Sequence, residues 1–260
     1  GCNVPAIRAP RIVESKKERL LTIFLSPFIP CTARLAVLTF VTAAVFASQA
    51  AVISWSLLAG NILILGLTGM TINRLLLKDE PLPFIMELPL YHKPDLRTIA
   101  LVIWNRTAAF IKRAGTVILG VSVLVWALSY FPYGRVEDSY LAAFGQLIEP
   151  WGRPLGLDWK MLTALVTSFV AKENAIATLG VLYGVGDEGL MRVLPTVMTP
   201  ASALSFLVVL MLFVPCVATV AVMKREMGNW RWFGASSVLM LLLSFILGAA
   251  AYRLALWIGL

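Results

Sequence analysis

The chain has 260 residues, of which 59% are hydrophobic and 14% charged, with a net charge of +8. Soluble domains are about 45–50% apolar and about 25% charged, so an ordinary soluble domain is excluded. Only three cysteines are present, which excludes a disulfide scaffold. The basic residues are scattered between long uncharged runs, which argues against nucleic acid as a partner. The composition is typical of an all-α polytopic membrane protein whose main partner is the lipid bilayer.

Uncharged runs predict the membrane spans of the N-terminal half. The run 35–73 lies between Arg34 and Arg74 and contains 39 residues. Because a helix needs about 20 residues to cross a bilayer, this run predicts two helices joined by a turn near residues 48–50. The run 114–134 predicts a third span.

The C-terminal half is less regular. The run 193–223 leaves room for a loop and one span, and 232–252 predicts another. The segment 161–186 is apolar at both ends but contains Lys172 and Glu173 at its centre. Neither half of that segment is long enough to span a bilayer.

Basic loops predict the orientation. The segment up to Arg34, the stretch 74–113 and the loop 224–231 are rich in Lys and Arg and are predicted to be cytoplasmic. Within the second of these, 97–113 has the pattern of an amphipathic helix on the membrane surface. The loop 135–159 is then external, with a short surface helix near 137–148.

These assignments require an odd number of crossings between residues 159 and 224. One span supplies it, so the segment 161–186 is predicted to enter and return on the same side as a re-entrant hairpin. Lipid tolerates such a break only where it is buried in protein or lines an aqueous cavity. In the alternative, the basic-loop rule misassigns one loop and the segment crosses outright.

An internal repeat supports a transporter-like architecture. The sequence FIPCTA at 28–33 recurs as FVPCVA at 213–218, with four identities in six positions. The predicted orientations make the two copies antiparallel, as in the inverted repeats of many transporters. A candidate broken segment precedes each copy, at 1–7 and at 171–176.

The broken segments carry candidate metal ligands. Proline inside an apolar span frees a backbone carbonyl, and a neighbouring cysteine offers a soft ligand for divalent transition metals. Cys2, Cys31 and Cys216, together with Glu173, are therefore predicted to form a path for a divalent cation. In the alternative, each cysteine is a small buried hydrophobic residue.

Further residues are predicted to support these breaks. An intramembrane acid such as Glu173 is a functional candidate, although an ion pair with Lys172 or a helix cap would also explain it. The remaining candidates are residues that cap or break helices or that coordinate an ion: Asn3, Pro5, Pro30, Lys172, Asn174 and Pro215. No phosphate-binding loop and no hydrolase motif occurs, so we do not expect an enzyme.

Six motifs occur in order along the chain: GCNVPA at 1–6, PCTARL at 30–35, FIMELP at 84–89, KRAGTVI at 112–118, FVAKE at 169–173 and VPCVAT at 214–219. Together they resemble the membrane region of ferrous iron transport protein B over essentially the whole chain. The resemblance implies uptake of Fe(II), as the transported ion, across a bacterial-type cytoplasmic (inner) membrane. It assigns metal handling in two gate regions to Cys2, Cys31 and Cys216, and it makes Lys172 and Glu173 part of the second gate.

The resemblance also implies partners and domain boundaries. The family carries an N-terminal GTPase module, which uses GTP and magnesium, and small cytosolic accessory proteins; a homo-oligomer is compatible with it. We expect this chain to be the C-terminal part of a longer protein, because it begins inside the first gate motif. Asn174 stands where the family pattern predicts an apolar residue.

The chain divides into three parts. Residues 1–77 form the first gate region with a transmembrane hairpin. Residues 78–113 form a cytoplasmic loop and the interfacial helix. Residues 114–260 contain the third span, the external loop, the second gate region and the last two spans.

Two other functions remain open at this point. One is a gate-type transporter of nucleosides or another small solute, and the other is a membrane scaffold without a pore. Sulfur at both repeated breaks favours a metal ion over a nucleoside.

Overall fold

The structure is a computed structural model that describes residues 1–13, 15–76, 94–131 and 138–259. These residues are mainly α-helical and contain no strand, in agreement with the predicted fold class. The helices of the described part are α1 (Asn3–Arg8), α2 (Lys16–Leu25), α3 (Thr32–Phe46), α4 (Ala50–Leu76), α5 (Leu96–Tyr130), α6 (Tyr140–Gly152), α7 (Trp159–Thr167), α8 (Asn174–Tyr183), α9 (Asp187–Val197), α10 (Pro200–Leu212), α11 (Val217–Met227) and α12 (Trp230–Ile258).

Three segments of the described residues are long and apolar enough to cross a membrane: Lys16–Arg74, Pro200–Met227 and Trp230–Ile258. The first contains the predicted helical hairpin, because α3 and α4 meet at a short 3-10 turn over Ala47–Gln49. At about 1.5 Å per residue, α4 and α12 are each about 40 Å long, which exceeds a hydrocarbon core of about 30 Å. The chain is therefore a multi-pass membrane protein.

The predicted interfacial helix and the third predicted span form one continuous helix, α5. The hydroxyl of Thr98 and the amides of Arg97 and Thr98 donate to the carboxylate of Asp95 at its N-terminus, which lowers the pKa of Asp95. No proline interrupts α5, so the helix continues through residue 113. A surface position for its first half stays a prediction, and the predicted loop before it lies outside the described residues up to residue 93.

The predicted external surface helix corresponds to α6, which packs closely on α7. Gly145 and Gly152 allow this approach, because a Cβ atom at either position would overlap α7 side chains such as Thr163 and Leu162. The chain then turns at Gly156, which has a φ of 67° and lies against the ring of Tyr252 on α12. The connection between α6 and α7 is thus packed against α12.

The apolar interior is divided into two clusters. The upper core contains Val37, Phe46, Leu165 and Phe206 among its members. The lower core is built around residues of α1, α2, α11 and α12, and it also contains Phe28 of the 3-10 turn that follows α2. The terms upper and lower name the two ends of the molecule only.

The two cores give the direction of each long helix. α3 leads from residue 32 into the upper core, and α4 returns from the upper to the lower core. α10 and α11 together run from the upper to the lower core, and α12 runs back. The two helices that follow the repeated Pro-Cys pairs, α3 and α11, therefore run in opposite directions, as the orientations assigned from the basic loops predicted.

The segment 161–186 forms a helical hairpin. α7 and α8 have 9 and 10 residues, and both pack into the upper core. The hydroxyls of Thr167 and Thr178 lie 2.8 Å apart, so the second helix folds back along the first. Both arms lie at the same end of the molecule, which is the geometry that the re-entrant prediction requires.

A buried carboxylate joins the two basic segments at the lower end. Glu226 accepts a bidentate hydrogen bond from Arg11, with Nε to Oε2 at 2.9 Å, and a longer one from Arg19 at 3.4 Å. The segment after α1 and the loop after α11 are thus on the same side. This arrangement is consistent with the prediction that both are cytoplasmic.

Candidate ion pathway at the helix breaks

Three interruptions of helical structure meet where the two cores adjoin. They are residues 29–31, 168–173 and 213–216, and we call them the break layer. Pro30 and Pro215 explain two of them, because proline has no amide hydrogen and its ring clashes with the preceding turn. Phe28 belongs to the lower core and Val37 to the upper core, which puts the first break at the boundary.

Backbone hydrogen bonds connect each Pro-Cys break to the broken segment that precedes it in sequence. The amide of Thr32 donates to the carbonyl of Gly1 at 3.0 Å. In the second copy, the amide of Val217 donates to the carbonyl of Phe169 at 2.8 Å. Thr32 and Val217 are equivalent in the repeat, so the two copies share a backbone hydrogen bond as well as a sequence motif.

The three cysteines occupy equivalent positions in the structure. Each is the N-cap residue of a helix with an extended backbone: Cys2 precedes α1, Cys31 precedes α3 and Cys216 precedes α11. Cys2 is exposed, and the other two are half-buried. None of the three is buried in this structure, which differs from the alternative that each cysteine is a small buried hydrophobic residue.

Lys172 and Glu173 point in different directions. The ammonium of Lys172 is buried, donates to the carbonyl of Val214 at 2.9 Å and lies 5.0 Å from the centre of the Phe213 ring. Glu173 is exposed at the N-cap position of α8, and no described residue donates to its carboxylate. The alternative of a Lys172–Glu173 ion pair is therefore wrong for this structure.

Arg34 is the principal site residue that sequence reasoning missed. It was interpreted as the last charge of a cytoplasmic segment, but it is only 1% exposed. Its Nη1 donates to the carbonyl of Pro27 at 2.7 Å, and its Nη2 donates to the carbonyl of Phe213 at 2.6 Å. One guanidinium thus joins the 3-10 turn before the first Pro-Cys break to the second break. The sequence feature that could have identified Arg34 is a positive charge about one turn after the start of an apolar helix.

Asn61 of α4 is a second residue that the sequence did not single out. Its Nδ2 donates to the carbonyl of Phe28 at 2.7 Å. Phe28 and Phe213 are equivalent in the repeat, and both carbonyls accept from a buried side chain. Asn61 lies within the uncharged run 35–73, so its side-chain amide was the only sequence feature that distinguished it from its apolar neighbours.

The remaining predicted residues lie at the ends of the short helices. Asn3 is buried at the first position of α1, and Asn174 is half-buried at the first position of α8. Pro5 lies in the first turn of α1, where proline is tolerated. These positions are consistent with residues that shape the breaks.

The break layer does not form a closed metal site in this conformation. Among the described residues no three side chains of His, Cys, Asp or Glu come together to hold an ion. Arg34 follows Cys31 by three residues in the chain, and the carbonyl of Val214 that accepts from Lys172 lies two residues before Cys216. The arrangement therefore consists of two thiols, several break carbonyls and two buried cations, between two apolar cores.

Comparison with known proteins identifies two family models in the chain. One, described as ferrous iron transport protein B C terminus, matches residues 54–106, and the other, a gate model described as nucleoside recognition, matches residues 111–230. No solved structure matches the chain.

Named relatives extend these matches over nearly the whole chain. The Fe(2+) transporter FeoB of Staphylococcus aureus is 35% identical over 259 residues, which cover 98% of this chain and 39% of the relative. That of Methanocaldococcus jannaschii is 36% identical over 244 residues, covering 89% of this chain and 36% of the relative. A fusion of Fe(2+) transport protein A with FeoB from Porphyromonas gingivalis is 31% identical, with 98% of this chain and 36% of the relative covered.

The fold and the break layer define a multi-pass α-helical membrane protein of the gate type. The chain is a homologue of the C-terminal region of ferrous iron transport protein B. It spans about 39% of the length of the first relatives that it matches.

Proposed function

We propose that this chain is the membrane part of a transporter that takes up Fe(II) across a bacterial-type cytoplasmic membrane. The observation that carries the proposal is the convergence of two Pro-Cys breaks from antiparallel helices at the boundary of two apolar cores. Transporters bind their substrates near mid-membrane, at the interface of inverted repeats, where irregular backbone is available to the substrate.

The chemistry of the break layer suits a borderline divalent cation. Thiols select transition metals over magnesium and calcium, which prefer oxygen ligands alone. Cys31 and Cys216 would bind the ion in succession with break carbonyls, and Cys2 would act near the start of α3, where Gly1 contacts Thr32. Glu173, exposed beside the second break, would attract cations to the layer.

The driving force would come from a GTPase module of the same full-length protein. This part of the proposal is supported by the family resemblance, in which GTP and magnesium belong to that module. A small accessory protein is also proposed as a partner, since one relative is a fusion with Fe(2+) transport protein A.

Nucleoside transport is the second candidate function, because the gate model that matches residues 111–230 is described as nucleoside recognition. The thiols at both repeated breaks and the names of the relatives favour iron. A nucleoside site would use aromatic stacking and amide contacts with a base.

Uptake of radiolabelled iron by cells that express the full protein tests the proposal. We expect the double variant Cys31→Ser, Cys216→Ser to lose about tenfold or more of its Fe(II) uptake, because two soft ligands are removed. The matched control is Ala36→Ser with Ala218→Ser, which adds hydroxyls at exposed positions of the same two helices.

Three outcomes separate the alternatives. Uptake of labelled nucleoside without iron would favour the second candidate, and uptake of neither would favour a scaffold. Unchanged Fe(II) uptake by the double cysteine variant would contradict the thiol path but not transport itself.

A further inference from the structure

Two cations are buried side by side in the break layer. Arg34 and Lys172 are only 1% and 2% exposed, and they donate to the carbonyls of successive residues, Phe213 and Val214. No carboxylate of the described residues forms an ion pair with either of them, and Glu226 pairs with Arg11 and Arg19 at the lower end instead. Uncompensated charge inside a membrane protein is costly and marks a functional position.

These cations bind two backbone oxygens of the second Pro-Cys break. In an unbroken helix the carbonyl of Phe213 would accept from the amide of Val217, but that amide donates to Phe169 instead. Pro215 has no amide hydrogen and interrupts the ladder at this point. The carbonyls that the break frees are therefore accessible to side-chain cations, and in this conformation Arg34 and Lys172 hold them.

We propose that Arg34 and Lys172 form an electrostatic barrier that closes the break layer to divalent cations in this conformation. The inference rests on the proposed function, since a barrier to cations has meaning only in a cation pathway. Fixed positive groups exclude cations from narrow membrane pathways. The barrier opens when Lys172 leaves the Val214 carbonyl, and that oxygen then becomes available to the metal.

Arg34 couples the opening of the barrier at the second break to the position of the first break. Its guanidinium binds the carbonyl of Pro27, in the 3-10 turn just before the first copy of the repeat, and that of Phe213, the first residue of the second copy. Displacement of either break therefore removes a partner from the same side chain. The two Pro-Cys breaks open together rather than one at a time.

The test measures Fe(II) entry into vesicles that contain the full protein, without added nucleotide. Lys172→Met keeps the length of the side chain and removes its charge, and we expect this basal leak to rise on the order of tenfold, the effect of a small decrease in barrier height. Lys172→Arg retains the charge and keeps the leak low. The matched control is Lys160→Met on the same hairpin, where the ammonium lies 4.6 Å from the Tyr183 ring and away from the break.

Arg34→Gln provides a second variant, because glutamine is neutral but can still donate to one carbonyl. We expect it to raise the basal leak as well, so the inference can be tested even if Lys172→Met does not reach the membrane. Basal leak at the wild-type level in a folded Lys172→Met or Arg34→Gln protein would overturn the barrier. An equal leak in Lys172→Arg would overturn the role of charge.

Different results would contradict Fe(II) transport and the electrostatic barrier. If the wild-type protein takes up no Fe(II) even when nucleotide is supplied, the proposed function is wrong. If the wild type transports Fe(II) with nucleotide and neither neutral variant leaks, only the barrier is wrong.

Discussion

The guanidinium of Arg34 binds the carbonyl of Pro27, just before the first break, at 2.7 Å and that of Phe213, in the second break, at 2.6 Å. A planar fork with several donors can hold two acceptors in fixed directions, whereas an ammonium on a flexible stem cannot reproduce that geometry. The Nε of Arg34 is buried without a partner, so the side chain is held at its terminal nitrogens. This residue determines how the two breaks are placed relative to each other.

Arg34→Lys should destabilise the protein although it conserves the charge. One of the two buried carbonyls would lose its donor, which costs about 1–3 kcal/mol. Thermal unfolding of the purified protein in detergent measures the effect. Arg231→Lys at the exposed start of α12 is the control, and an equal shift in Tm for both variants would show that the fork is not needed.

Inside a break of helical structure, it is difficult to predict from sequence which of two adjacent side chains is buried and which is exposed. Lys172 and Glu173 were both predicted to belong to the second gate, but the structure buries the first and exposes the second. Inside a regular helix the period of 3.6 residues tells which side chains share a face. Residues 168–173 have no such period, so the direction of each side chain depends on tertiary contacts that the sequence does not reveal.

At the scale of helices, α10 and α12 pack closely against each other. Gly248 of α12 lies against Val209 and Leu155, and its carbonyl accepts from the hydroxyl of Ser205 at 3.1 Å. Small residues let membrane helices approach closely, and van der Waals contact then supplies much of the stability. This contact holds the helix that leads into the second Pro-Cys break.

Gly248→Ala should therefore destabilise the protein by about 1–3 kcal/mol, because the new methyl group would overlap side chains of two neighbouring elements. Gly234→Ala is a matched control on the same helix, since nothing lies within 4 Å of its Cβ position. Unfolding of both variants in mixed detergent measures the difference. Equal stabilities would mean that α10 and α12 pack less tightly than the structure indicates.

Much of the helical arrangement was predictable from the positions of charges. The run between Arg34 and Arg74 predicted α3, the turn and α4, and the parity of basic loops predicted the hairpin of α7 and α8. The orientations predicted from the basic loops made the helices after the two Pro-Cys pairs antiparallel. The burial of Arg34 was not predictable in the same way, because a single cation at the end of an uncharged run also marks a membrane boundary.

At the scale of the whole molecule, the contact of Arg11 and Arg19 with Glu226 defines one end, and the α7–α8 hairpin belongs to the other. If the lower end, which contains these basic residues, is cytoplasmic, the turn between α8 and α9 is external. We predict that a cysteine introduced at Gly186 reacts with a membrane-impermeant maleimide added outside cells, because no side chain crowds that position.

Arg225→Cys at the lower end is the matched variant, and it should react with the maleimide only after the membrane is permeabilised. The parent protein, labelled in parallel, accounts for the exposed Cys2. Labelling of Gly186→Cys only after permeabilisation would show that the segment 161–186 crosses the membrane outright, contrary to the hairpin.

The central claim is that Fe(II) passes between the thiols of the two Pro-Cys breaks. X-ray absorption at the iron edge, on the full protein loaded with Fe(II), tests it most directly because it identifies the atoms bound to the metal. We predict sulfur in the first shell of the wild type and its loss in the Cys31→Ser, Cys216→Ser variant. A shell of oxygen and nitrogen alone, identical in both proteins, would contradict the claim.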